Sequence, residues 1–284
     1  MIFHNVRFKE KLLAPPSKSQ AIRILLCSAL SKKPCRVLLS DSCSDIETAL
    51  SALPVFGAKI ERDSESVTVI PASDFPQAPC IIPDFRDCGT VMRLFLPVMQ
   101  SLWTDVAYKA DERLRERVRG TLLTRDEILS DITEVDASLS SQTLSGLLFA
   151  KALAGGSVRV KGQTVSRPYV DMTLDVISRF SLKRYDRTED FFGRGCGRFP
   201  GCDTQQIEAD WSGAAYLLVA GAIGKNPVTV SGLNTKSVQG DKIIISILSS
   251  MGACITEDKG LITSSPASLR ALCLDAKDCP DLIP

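Results

Sequence analysis

The chain has 284 residues, 44% of them hydrophobic and 24% charged, with Lys+Arg 34 against Asp+Glu 33. That composition supports one large core or two domains and excludes disorder as the main state. The near-neutral balance excludes a global attraction to nucleic acid or membrane surfaces, so any anion affinity must be local. The longest nearly apolar run, Ala214 to Gly224, is shorter than the ~20 residues of a bilayer-spanning helix. The N-terminus, MIFHNVRFKEKLL, has no apolar signal core. We therefore expect a cytoplasmic protein with neither nucleic-acid nor membrane partner. Ten cysteines show no CxxC pair, and His4 is the single histidine. This argues against a zinc site and against a Ser-His-Asp triad, and it fits free thiols in a reducing compartment.

In chain order, four segments repeat one pattern. Each opens on a hydroxyl residue, Ser19, Thr90, Ser141 or Ser212, and continues through about three turns of apolar sequence. A break follows 15 residues on, at Pro34, Asp105, Gly156 and Pro227, and then a β-rich run. Hydroxyls accept from the free N–H groups of a first helical turn, so the four residues are predicted N-caps. The nearly continuous apolar stretches predict buried helices.

A second helix-strand element follows three of these, opening at Asp45, Asp171 and Asp241. Two of them end in Gly-Ala, at Gly57-Ala58 and Gly252-Ala253, where glycine suits a helix C-terminus. Further strands are predicted at Val67–Ile70 and Leu261–Thr263. With the strand leading into it, the unit reads as a βαβαββ module. The copy starting at Thr90 is incomplete: between Lys109 and Ser140 the one helix candidate is Thr124 to Ile132, with Glu127 completing a Thr-x-x-Glu capping box. Solvated connections are expected at Ser73–Asp87 and Arg187–Gln206, the second being the better domain boundary.

The helix starts carry groups suited to anions. An N-terminus offers unpaired N–H groups and about half a positive charge. Lys18 and Ser19 stand at the first, with Arg23 one turn in. Gly89-Thr90 stands at the second, where glycine lets a ligand approach the backbone. Ser140-Ser141-Gln142 stands at the third, with Ser166, Arg167 and Tyr169 shortly after.

These residues carry a resemblance. LAPPSKSQAIR at Leu13–Arg23 resembles the N-terminal signature of the 5-enolpyruvylshikimate-3-phosphate synthase family (3-phosphoshikimate 1-carboxyvinyltransferases). DCGTVMR at Asp87–Arg93 is similar to its N-(A/S)-G-T-x-M-R motif, and ERLRERV at Glu112–Val118 to its R-M-x-x-R-P loop. SSQ at Ser140, SRPYVDMT at Ser166, DWSGAAY at Asp210, QGD at Gln239 and CPDLIP at Cys279 follow in family order.

The resemblance implies an α/β fold of repeated βαβαββ modules in two domains, an inside-out α/β barrel. The first domain spans 14–208; the second, formed by 1–13 and 209–284, is incomplete. It implies transfer of the enolpyruvyl group of phosphoenolpyruvate to the 5-hydroxyl of shikimate 3-phosphate, with release of phosphate, in aromatic amino acid biosynthesis. A monomer without metal or organic cofactor is expected. Ser19 and Arg23, with Ser140, Ser141, Ser166 and Tyr169, are implied to hold shikimate 3-phosphate. Lys18, Gly89, Arg117 and Gln142 are implied to contact phosphoenolpyruvate. Lys18 and Asp281 are the implied catalytic residues, Asp281 taking the 5-hydroxyl proton.

Departures from the pattern accompany this. Asp87 stands where the family has Asn, Val118 where it has Pro, and the segment 119–139 is short. The chain stops at Pro284, where another module's helix is expected, so it reads as a truncated member with part of its phosphoenolpyruvate site missing. A non-catalytic remnant that binds shikimate 3-phosphate is one alternative. A UDP-N-acetylglucosamine enolpyruvyl transferase is the other, disfavoured because PPSKS is present and the loop Arg113–Gly120 holds no cysteine.

Overall fold

The structure is a computed structural model that describes residues 11–138, 140–181, 186–187, 191–193 and 197–283. The readings for His4 and for residues 188–190 and 194–196 of the 187–206 connection lie outside the described residues. The chain begins with β1 (Leu12–Leu13), α1 (Lys18–Ala29), β2 (Cys35–Leu38), α2 (Ser44–Ala52), β3 (Lys59–Arg62) and β4 (Ser66–Ile70). Then come α3 (Gly89–Leu102), α4 (Glu112–Val118), α5 (Arg125–Leu129), β5 (Ile132–Asp136), α6 (Ser141–Ala154), β6 (Ser157–Lys161) and α7 (Arg167–Phe180). The remainder is β7 (Asp186–Arg187), β8 (Phe191–Gly193), β9 (Thr204–Gln206), α8 (Trp211–Ile223), β10 (Val228–Ser231), α9 (Ile244–Met251), β11 (Cys254–Asp258) and β12 (Leu261–Ser265).

Two units emerge: the described parts of Met1–Ser17 with Glu208–Pro284, and Lys18–Ile207. Three four-stranded sheets share one layout, β9-β2-β4-β3, β5-β6-β8-β7 and β1-β10-β12-β11. In each, the first two strands are parallel and the later pairs antiparallel. This is the βαβαββ module, with its last strand paired between its first two and its third. In two modules the leading strand comes from far away in sequence: Leu12 pairs with Val230, and Arg36 with Thr204. The Thr90 copy keeps its helix α3 and little else. Its strand pair is reduced to the parallel contact of Asp84 with Lys109, where Phe85 N–H donates to the Lys109 carbonyl at 2.9 Å.

The predicted N-caps need correction. α1, α3 and α8 each begin one residue before the hydroxyl, and α6 begins on it, so Ser19, Thr90, Ser141 and Ser212 all lie inside the first turn. The N-cap residues of α3, α6 and α8 are Cys88, Ser140 and Asp210, and of these Asp210 alone accepts a capping bond, from Gly213 N–H at 2.9 Å. Asp210 wins at α8 because a carboxylate accepts from an N–H more strongly than a hydroxyl does. α7 starts at Arg167, four residues before Asp171, because Pro168 is pre-set for a first helical turn. The Asp241 segment opens as a 3-10 turn, Gly240–Ile243, before α9. The 112–118 stretch is a helix that hydrophobic periodicity did not reveal, since Leu114 and Val118 are its two buried residues. α5 has both arms of the expected capping box, but it is short because β5 begins at Ile132.

One core fills the larger unit, and α1 and α6 lie within it, with Ile22, Leu25, Leu26, Leu144, Leu147 and Leu148 fully buried. α3 crosses α6 where Pro97 interrupts α3. Proline has no N–H to offer the Arg93 carbonyl four residues back, and Gly146 of α6 packs on that oxygen. A Cβ on Gly146 would lie 1.9 Å from it. A separate, smaller core in the other unit gathers Trp211, Leu218, Val230, Ile244 and Ile262 around α8.

Candidate active site

The site is built on the first turns of α1, α3, α6 and α7, none of which carries an acidic residue. Their unpaired N–H groups are left without the internal anion a helix start favours. Cations gather there instead.

Arg23 sits one turn into α1 and is 1% exposed. Its Nε donates to Thr173 Oγ1 at 2.8 Å, Nη1 to the Ser19 carbonyl at 2.7 Å and Nη2 to the Tyr169 carbonyl at 3.2 Å. The guanidinium carbon lies 6.0 Å from the Tyr169 ring centre. Every one of these partners is neutral, and no carboxylate among the described residues pairs with it. Burial pushes the Arg23 guanidinium down to about 10, with Tyr169 opposing the shift. It stays charged at neutral pH, as a buried cation whose lost hydration an anion would replace. Ser166 enters α7 in the left-handed region, at φ 52 and ψ 43. Strain of this kind in a non-glycine residue costs about 1–3 kcal/mol and collects at ligand sites.

A second cluster lies at the start of α3. Arg93 Nη1 donates to Gln142 Oε1 at 2.9 Å, and Gln142 Nε2 donates to Thr90 Oγ1 at 3.1 Å. Arg117, from α4, donates through Nη2 to the Asp87 carbonyl at 3.0 Å. Both guanidinium groups converge on Gly89: a Cβ there would meet Arg93 Nη1 at 2.8 Å and Arg117 Nη2 at 2.9 Å. Burial lowers the Arg93 pKa, and the like charge of Arg117 lowers it further. Arg93 Nε is buried without a partner. Two mutually repelling guanidinium groups over a helix N-terminus form a site for a small multivalent anion.

Lys18, in the first turn of α1, pairs with Asp45 of α2 at 3.0 Å. Ser140 caps α6, Ser141 is buried and Gln142 half-buried. Asp281 belongs to the smaller unit, exposed on the 3-10 turn Pro280–Leu282, whose neighbours Cys279 and Leu282 sit in and against that unit's core. The structure thus groups Lys18, Ser19, Arg23, Gly89, Arg117, Ser140, Ser141, Gln142, Ser166 and Tyr169 within one unit and sets Asp281 in the other. Sequence reasoning missed Arg93, Asp45 and Thr173 as site residues. The first and last stand inside motifs already singled out, DCGTVMR and SRPYVDMT, whereas nothing local marks Asp45 as more than a helix opener.

The family profile of EPSP synthase (3-phosphoshikimate 1-carboxyvinyltransferase) matches residues 4–122 and 128–284. The chain belongs to the EPSP synthase family. It is 30% identical over 297 residues to the 3-phosphoshikimate 1-carboxyvinyltransferase of Clostridium kluyveri, covering 95% of this chain and 68% of that protein. With that of Methanothrix thermoacetophila it shares 33% over 299 residues, covering 95% and 69%. The chain therefore spans about two thirds of the length of these relatives. Among solved structures, the EPSP synthase of Acinetobacter baumannii superposes with a TM-score of 0.73 at 21% identity, over 97% of this chain and 69% of that one. The enolpyruvyl transferase NikO from Streptomyces tendae superposes at 0.64 with 17% identity, over 92% and 66%. These two likenesses carry the fold, which is that of the enolpyruvyl transferases. By family, the chain is a carboxyvinyl transferase of the shikimate pathway, and the family's substrates are shikimate 3-phosphate and phosphoenolpyruvate. No helix among the described residues is long and apolar enough to cross a membrane.

Proposed function

We propose that the Arg23 cluster holds the phosphorylated substrate and the Gly89 cluster holds phosphoenolpyruvate. Ser19 and Arg23, with Ser140, Ser141, Ser166 and Tyr169, bind shikimate 3-phosphate. Gly89, Arg117 and Gln142 bind phosphoenolpyruvate, and Lys18 lies between the two substrates. The reaction joins the 5-hydroxyl oxygen to C2 of phosphoenolpyruvate while C3 gains a proton. Loss of phosphate and of a C3 proton from the resulting tetrahedral adduct restores the enol. Asp281 takes the hydroxyl proton, a general-base role worth about 10²–10⁴-fold when the carboxylate is in hydrogen-bond reach. The cations and helix N-termini offset the repulsion between two phosphates and two carboxylates brought together. The larger domain is taken to span 14–208 and the other to combine 1–13 with 209–284, close to the division at Ser17 and Glu208. The protein acts as a cytoplasmic monomer, and gel filtration tests its oligomeric state.

The observation that carries this reading is Arg23: a guanidinium buried at a helix start with neutral partners alone. Calorimetry with shikimate 3-phosphate and with unphosphorylated shikimate is the test. The phosphorylated ligand should bind, and Arg23→Ala should weaken it by about 1.5–3 kcal/mol. Equal binding of both ligands, or unchanged affinity in the variant, refutes the assignment. Phosphate release by the 284-residue chain separates an active enzyme from a binding remnant. Loss of phosphate release in Asp281→Asn supports the catalytic assignment.

A further inference from the structure

Asp45 lies between two helix starts of the site. Its Oδ2 pairs with the Lys18 ammonium of α1 at 3.0 Å, and its carboxylate is also coupled to the thiol of Cys88, the N-cap residue of α3. Cys88 immediately precedes Gly89, on which Arg93 and Arg117 converge. Asp45 also stands in the first turn of α2, where an acid is favourable for the helix dipole. That explanation alone is insufficient, because Glu47 occupies the same turn. A half-exposed ion pair adds little to fold stability, so the orientation of Lys18 toward α3 is its physical consequence.

We propose that Asp45 is a positioning residue for Lys18, its carboxylate holding the ammonium toward the start of α3 where the phosphoenolpyruvate anion binds. The inference rests on Lys18 being a substrate contact. Three groups face the ammonium: Asp45, Cys43 before α2, and Cys88. Burial works to lower the Lys18 pKa, and Asp45, with smaller contributions from Cys43 and Cys88, more than offsets it, so that the net direction is upward. Without Asp45, burial acts unopposed by a carboxylate, and the long lysine stem is released to solvent rotamers.

The test uses the whole chain labelled with ¹³C-lysine, the Lys18 signal being identified by its absence in Lys18→Arg. In Asp45→Asn the Lys18 titration midpoint should fall, and in Asp45→Glu it should recover. Phosphoenolpyruvate, titrated to millimolar concentration with shikimate 3-phosphate present, should bind Asp45→Asn about 2–5-fold more weakly. Shikimate 3-phosphate affinity and the melting temperature should be unchanged, which reports an intact fold. A role in α2 alone would move the melting temperature and leave the Lys18 midpoint in place, and that result overturns the proposal. A lowered midpoint with wild-type phosphoenolpyruvate affinity also overturns it, provided Lys18→Met binds weakly. If Lys18→Met binds phosphoenolpyruvate as the wild type does, the assignment of Lys18 to the substrate fails, and the proposal fails with it.

Discussion

α6 and α8 are alike in apolar character and opposites in surroundings. Both are apolar almost all round, and both follow a strand of the same module type. α6 is enclosed by α3 and α7, and its residues from Thr143 to Ala152 are all buried. α8 packs on β10, β12 and the 240–243 turn, and leaves Tyr216 58% and Ile223 68% exposed. Their first turns differ as well. Asp210 supplies α8 with its own anion, whereas the first turns of α1, α3, α6 and α7 have no acid and are ringed by Lys18, Arg23, Arg93 and Arg117. An apolar helix is stabilised by what surrounds it, and a helix start that lacks an internal acid is open to a ligand.

The largest expected effect separates the two helices by their packing. Leu147→Ala in α6 should cost about 2–5 kcal/mol, and Gly146→Ala about 3 kcal/mol, because the new methyl meets the Arg93 carbonyl. Ile223→Ala in α8 should stay within about 0.5 kcal/mol. Urea unfolding of the three variants checks this, and similar losses for Leu147 and Ile223 would break the contrast.

Next in size is Arg23→Met, which sharpens the difference between the helix starts. Phosphorylated-ligand affinity should fall about 10–100-fold, while the unliganded melting temperature holds or rises, since a buried cation without an anion is removed. A large fall in unliganded stability would mean that Arg23 is a structural residue first.

Asp241 extends the comparison to pH. It is 2% exposed, its Oδ2 accepts from the Ser212 hydroxyl and its Oδ1 has no partner. Burial pushes its carboxyl up, Asp281 and Asp210 push it further, and Ser212 opposes them. Between the unfolded and the folded pKa, the folded state therefore holds a proton that the unfolded state has released. The stability contributed by that proton is present below the unfolded pKa near 3.9 and is lost as pH rises through the folded value. Asp241→Asn should match the wild type near pH 3.5 and be the more stable of the two at pH 7. A constant difference across that range would contradict the linkage. The smallest effect is expected from Tyr216→Lys on α8, within about 0.5 kcal/mol of the wild type and with improved solubility.

The modules were legible because their signals are local. The apolar period and the break 15 residues on repeat within each copy, two copies share a Gly-Ala ending, and the helix starts fall within a residue of the hydroxyls. The caps were not legible: Cys88 and Asp210 replace the expected hydroxyls, since backbone geometry places the hydroxyl one position too late. α4 was hidden because a seven-residue helix with two buried side chains has no period to detect. The site divides in the same way. Lys18, Ser19, Arg23 and Gly89 stand in contiguous motifs. Arg93 and Asp45 matter through what faces them across other helices, which no spacing records.

By itself the sequence determined the repeated modules, the four apolar helices with cations and hydroxyls at their starts, and the family. These follow from short-range chemistry: side-chain period, turn residues and contiguous motifs. Tertiary structure alone decided which strand opens each sheet, with β1 pairing β10 across more than 200 residues and β9 reaching back to β2. It alone decided that Arg93 and Arg117 meet over Gly89 and that Asp45 takes Lys18. A strand's partner and a cation's neighbour are set by closing the chain over long separations, where the gain comes from the packed whole and not from any local segment.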